Sequence, residues 1–232
     1  MSKYTVIAYS ATTPCYSNAY DHSGQSGYYY TFQAYISDLS TIGFDNAIYS
    51  VLQTGMWIYY ENINYNGDLA GQVYWVHGVD IAVDFPSEVD GVTSSLKYAG
   101  NRYVLNEDSY TIYSGEFYTG DEFYGNVDTA SLSSLTDQGS SIILTGLSDW
   151  TFYTEYDFGG YAYCFSPSTD RDVGLDGTVL NFGFYGSLSS AGVPDNYFRS
   201  VRKGCFSPNI VKASPMKAEG KSSNGAWGVI RV

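Results

Sequence analysis

The sequence predicts an all-β fold, on three observations. Aromatic residues make up 18% of the 232 residues, and 25 residues are glycine. Aromatic rings suit a pleated, half-buried surface, and glycine supplies the positive φ that tight turns need. Turn signals recur about every ten residues, the spacing of a β-sandwich or barrel. No stretch of helical length carries an apolar period of 3.6 residues.

The strand-like segments follow in order. A tyrosine-rich opening, YSNAYDHSGQSGYYY, spans 16–30. Residues 71–77 (GQVYWVH) alternate in part between apolar and polar. Residues 141–145 (SIILT) and 160–165 (GYAYCF) are short, apolar and bounded by turn residues.

Composition limits the function classes. With 44% hydrophobic and 15% charged residues the chain is globular, long enough for one large or two small domains. No apolar run approaches the ~20 residues of a transmembrane helix. The start, MSKYTVIAYS, lacks the apolar core of a signal peptide, which fits a cytoplasmic protein or a mature secreted form. Net charge is −13, with 23 acids and 4 bases in residues 1–198 but 1 acid and 7 bases in 199–232. An acidic body repels phosphates, which excludes nucleic acid as its partner. The acidity serves solubility or the attraction of cations. Three cysteines make no disulfide framework. Either Cys164 pairs with Cys205, leaving Cys15 over, or all three are reduced. The pairing would stabilise the fold by roughly 4 kcal/mol.

A repeat is the main signal. Four hexapeptides align: Asp45–Ser50 (DNAIYS), Asp90–Ser95 (DGVTSS), Thr136–Ser141 (TDQGSS) and Asp195–Ser200 (DNYFRS). Their starts lie 45, 46 and 59 residues apart. Each ends in serine followed by an apolar residue: Val51, Leu96, Ile142, Val201. Gly55, Gly100 and Gly146 come five residues after that serine, and Gly204 one position early. Such a period means one supersecondary unit used several times.

A second feature runs in step. Tyr59, five residues, then Tyr65-Asn66-Gly67 is one copy; Phe152, five residues, then Phe158-Gly159-Gly160 is another. Ile112, five residues, then Tyr118-Thr119-Gly120 is a third, with Ile for the leading aromatic. Each reads as a folded hairpin whose two aromatics stack over a turn held by its glycine. A first, degenerate copy lies near residues 4–30.

With these two features in alternation, the chain resembles the βγ-crystallin family over roughly residues 1–206. The family's Greek-key unit carries such an aromatic hairpin and an (Asn/Asp)-(Asn/Asp)-X-X-(Ser/Thr)-Ser loop leading into a strand. The resemblance implies two Greek-key β-sandwich domains, 1–107 and 108–206, each of two units. An insertion near 166–192 and a basic extension, 207–232, depart from the family pattern.

The resemblance also implies a site for calcium, a hard cation that takes several oxygens at about 2.3–2.6 Å. Each ion draws on a hydroxyl from the fifth loop position, a carbonyl from the third, and an acid or amide of the partner loop. Carried over, Ser94, the Val92 carbonyl and Asp45 or Asn46 form one site. Ser140, the Gln138 carbonyl and Asp195 or Asn196 form another. The reciprocal sites meet Tyr49, whose phenol is too long, and Arg199, whose cation opposes a divalent ion. One Ca2+ per domain is therefore the expectation. The alternative is that these Ser and Asp side chains merely cap tight turns.

An enzyme is the weaker reading. His22 and His77 are the only histidines, and no Ser-His-Asp, Cys-His or zinc spacing is present. Glu61, Glu116 and Glu155 lie in or beside the hairpins and read as turn residues. The 25 tyrosines either fill the sandwich, with hydroxyls partnered at its rim, or form an exposed aromatic surface. On the second reading, Trp57, Trp75 and Trp150 wall a cleft between domains or subunits for a hydrophobic ligand, a pigment or lipid. The extension is either flexible or, through Ala226–Val232, a strand for an edge or a neighbouring subunit of a homo-oligomer.

Overall fold

The computed structural model of the protein describes residues 14–168, 170–213 and 217–230. The starting segment, residues 4–13 of the first hairpin copy, and Arg231–Val232 of the extension lie outside them. Among the described residues there are strands and short 3-10 turns, and no α-helix. The first half carries β1 (Tyr16–His22), β2 (Ser26–Phe32), β3 (Ser50–Tyr60), β4 (Val73–Asp84) and β5 (Ser95–Ala99). The second carries β6 (Ser109–Tyr113), β7 (Glu122–Gly125), β8 (Ser141–Thr145), β9 (Trp150–Tyr153), β10 (Ala162–Phe165), β11 (Arg171–Val173), β12 (Val179–Tyr185) and β13 (Ser200–Lys203). β14 (Ile210–Val211), β15 (Gly220–Ser222) and β16 (Gly225–Ile230) follow.

β3 takes two partners along one edge within a seven-stranded sheet. Its start, Ser50–Thr54, pairs with β1, and its end, Met56–Tyr60, pairs with β5. The change falls at Gly55, where the register with β4 also shifts. Gly55 has φ 103°, and a Cβ there would stand 2.4 Å from Cys15 Sγ, so only glycine fits. The repeated glycines share this role: Gly100, Gly146 and Gly204 have φ of 82°, 81° and 105°. In the second half, β6 and β12 flank β8 in one sheet, while β13 and β10 flank β9 in another.

Alternation along each strand sets what is buried. The apolar residue after each loop serine is fully buried, Val51 and Leu96 in the first core, Ile142 and Val201 in the second. Trp57 and Tyr59 face the first core, while their neighbours Ile58 and Tyr60 face the second half. There they join Trp75, Tyr113, Ile143, Phe182 and Phe184 in a third cluster shared by the two halves. The end of β3 is therefore buried on both faces. That is why it reads as a continuous apolar run with no period of two.

Two expectations need correction. Trp57, Trp75 and Trp150 form no exposed aromatic surface: they are 0%, 1% and 0% exposed. Trp57 and Trp150 fill the two domain cores, while Trp75, in the shared cluster, also lines a cavity between the halves. The described part of the extension follows the edge-strand alternative. β16 pairs with β4 along Val73–Gly78, β15 pairs with β16, and β14 lies parallel to β10. The tail thus returns from the second half to widen the first sheet. Tyrosine hydroxyls are also not all partnered, since those of Tyr74, Tyr113 and Tyr118 are buried without a hydrogen bond. Tyr28 and Tyr29 on β2 are exposed.

The insertion near 166–192 contains the β11–β12 hairpin, and β12 supplies Phe182 and Phe184 to the shared cluster. Cys164 and Cys205 form a disulfide, and Cys15 is a free, buried thiol. Burial pushes the Cys15 thiol well above its ordinary range.

Candidate functional site: paired loops at the domain tips

The sixth-position serine of each loop builds the site by fixing a hairpin. Ser95 Oγ accepts from Tyr65 N at 3.0 Å and donates to Asn62 O at 2.6 Å. Ser141 does the same between Tyr118 N and Gly115 O, and Ser200 between Phe158 N and Glu155 O. Ser50 holds Gln25 N and His22 O. The degenerate first copy is thus a true hairpin in its described part, with Gln25 in the place of the aromatic.

Strain in these hairpins sits on different residues than the pattern suggests. Two successive residues are left-handed in each: Gly24-Gln25, Asn64-Tyr65, Phe117-Tyr118 and Asp157-Phe158. Gly120 and Gly160 have positive φ as expected, but Gly67 is right-handed at −65° while Asn66 takes +56°. The stacking partner also shifts by one residue. Tyr60 meets Tyr65 at 5.7 Å, Tyr113 meets Tyr118 at 5.5 Å, and Tyr153 meets Phe158 at 5.9 Å, all edge to face. Tyr59, Ile112 and Phe152 point to the opposite face, into the domain cores. Four residues, not five, separate the stacked aromatics.

The loops then face each other in pairs. Asn46 N donates to Thr93 O at 3.0 Å, and Gly91 N to Ile48 O at 2.9 Å. In the second half, Asn196 N donates to Gly139 O at 3.0 Å, and Asp137 N to Phe198 O at 3.1 Å. The second loop position is left-handed in all four: Asn46, Gly91, Asp137 and Asn196. This is why only Asn, Asp and Gly occur there.

The candidate ligands are distributed alike in both pairs. Asn46 Nδ2 holds Asp45 Oδ2 at 3.0 Å, and Asn196 Nδ2 holds Asp195 Oδ2 at 3.2 Å. In each case the other oxygen, Oδ1, is buried with no hydrogen-bond partner. Ser94 and Ser140 are both buried across from them, and Ser140 Oγ lies 3.3 Å from Asn196 Oδ1. A buried carboxylate oxygen without a donor is costly, and a divalent cation would satisfy it.

The reciprocal positions differ. The Tyr49 phenol packs over Gly91, where even a Cβ would stand 2.7 Å from its Oη. Arg199 places its guanidinium on Asp137 and Glu155. Charge and volume already fill both places.

Elsewhere, two buried polar clusters leave no mark in the sequence, because each joins distant segments. Lys97, 1% exposed, donates to Gly120 O at 3.0 Å and lies 3.4 Å from Glu122 Oε2. The rings of Tyr65 and Tyr113 lie 4.6 Å from its Nζ. Desolvation lowers its pKa to about 8, against the pull of Glu122. His77 Nδ1 lies 2.5 Å from Asp172 Oδ2, both side chains buried. The one group of His, Cys, Asp or Glu with metal-like spacing among the described residues is Asp149, Cys164 and Cys205, whose thiols are spent on the disulfide.

Four serine-pinned hairpins, coupled two by two through facing loops, make this a two-domain βγ-crystallin fold. Among solved structures, Geodin, a βγ-crystallin from Geodia cydonium, covers 82% of this chain and 99% of its own, at 19% identity and a TM-score of 0.60. A βγ-crystallin from an archaeon covers 42% of this chain and 99% of its own, at 27% identity and a TM-score of 0.34. Protein S complexed with calcium covers 81% and 98%, at 16% identity and a TM-score of 0.28. No protein-family model and no curated protein matches the chain.

Proposed function

We propose that this is a non-enzymatic, crystallin-type structural protein that binds one Ca2+ in each of its two domains, 1–107 and 108–206. Asp45 Oδ1 and Asp195 Oδ1 carry the reading: two buried, unpartnered carboxylate oxygens at the same position of equivalent loops. The first ion takes Ser94, the Val92 carbonyl and Asp45 or Asn46. The second takes Ser140, the Gln138 carbonyl and Asp195 or Asn196. Hard oxygen donors with a local negative charge suit calcium, and the net charge of −13 draws cations in. The βγ-crystallin fold is in keeping with a structural role.

Calorimetric titration of chelator-stripped protein tests it. Two ions per chain are expected, one in Asp195→Ala, together with a rise in melting temperature. No heat and no thermal shift at millimolar Ca2+ would remove the calcium reading and leave a purely structural one.

A further inference from the structure

A cavity of about 140 Å3 lies where β4 of the first half meets β11 and β12 of the second, with Lys221 and Ala226 of β15 and β16 completing its wall. Its floor is aromatic, and Asp170, Arg171 and Lys221 stand at its exposed rim. Trp75 and His77 stack with centroids 5.3 Å apart and planes 8° from parallel. Phe182 and Phe184 pack against His77 at 4.3 and 5.3 Å.

One buried carboxylate stands in that wall. Asp172 is 3% exposed and spends one carboxylate oxygen, Oδ2, on His77. A ligand hydroxyl would satisfy its other oxygen, Oδ1. The volume matches the roughly 150 Å3 apolar cavity that accepts benzene. It holds one six-membered ring, far less than a carotenoid or a sterol.

We infer that this cavity binds a single-ring aromatic ligand bearing a hydroxyl group, a phenol. The ring faces four aromatic side chains, which favour tilted and offset contacts. The hydroxyl can donate to the Asp172 carboxylate. Residues on β4, β11, β12 and β16 complete the pocket together, so the returning tail is part of the site. The inference does not depend on the calcium loops.

The test is 19F NMR of 4-fluorophenol with the full chain in chelator. A saturable shift with a Kd at or below about 1 mM is expected. Asp172→Asn, which keeps the side-chain shape but removes the charged acceptor, weakens binding about five-fold or more. Ala226→Leu fills the cavity and abolishes binding. Should that variant not fold by near-ultraviolet circular dichroism, Ala218→Phe at the exposed rim replaces it. No saturable shift up to about 10 mM, a Kd well above the range of small-ligand sites, overturns the proposal. So does undiminished binding in a folded cavity-filling variant, or equal affinity for cyclohexanol.

Discussion

Arg199 Nε lies 3.0 Å from both carboxylate oxygens of Asp137, and its Nη1 lies 2.9 Å from Glu155. The guanidinium stands at the fifth position of its loop, where the reciprocal calcium site requires a hydroxyl. It supplies from within the chain the positive charge an ion would bring. Arg199→Ser removes that cation and installs the hydroxyl. The expected result is a third calcium site per chain by calorimetric titration, against two in the parent. A stoichiometry still at two would mean that Arg199 is not what closes the site.

Lys97 makes stability depend on pH. Its folded pKa, about 8, lies below the ordinary 10.5. Below pH 8 both states carry the proton, and the fold bears the cost of a buried ammonium. Between pH 8 and 10 the unfolded chain holds more protons, so stability rises with pH. The full shift is worth about 3 kcal/mol. The urea midpoint is expected to climb over this interval in the parent and to stay flatter in Lys97→Met. Identical slopes in the two proteins would remove Lys97 as the cause.

Tyrosines reverse that trend at higher pH. Burial, reinforced by the charge of Glu122, holds Tyr60 and Tyr113 well above the ordinary 10, and burial pushes Tyr110 up to about 12. Above pH 10 the unfolded chain releases phenolic protons that the fold retains, so stability falls. Tyrosinate absorbance should rise in two stages, the exposed phenols first and the buried set only on unfolding. A single titration near pH 10 with circular dichroism unchanged would contradict this burial.

The serine pins predict a local cost. Ser95→Ala strands the backbone N–H of Tyr65, which is held in a left-handed conformation, φ 59°. Loss of that partner costs about 1–3 kcal/mol. The exposed Ser134→Ala serves as control, within about 0.5 kcal/mol of the parent. Comparable urea midpoints for the two variants would show that the pin contributes nothing.

How much of this was legible follows from what is local. The hexapeptides could be read because a left-handed second position admits few residue types and a pinning serine must end each loop. Those constraints act within six residues. The same holds for Gly55, Gly100, Gly146 and Gly204, whose positive φ leaves a fixed mark. The hairpin aromatics were legible as a pattern but off by one position, because adjacent strand residues face opposite ways and both neighbours are apolar.

The sequence by itself determined the strand-rich class and the four-fold repeat, and its family resemblance implied the pairing of the loops. Only the tertiary structure decided that the three tryptophans are buried, that the tail returns to β4, and that Lys97 meets Glu122 and His77 meets Asp172. The reason is physical. Backbone conformation and loop chemistry are dictated by neighbours along the chain. Burial and pairing depend on which faces meet, here a third apolar cluster joining residues from Met56 to Ala226, and no short-range pattern records that meeting.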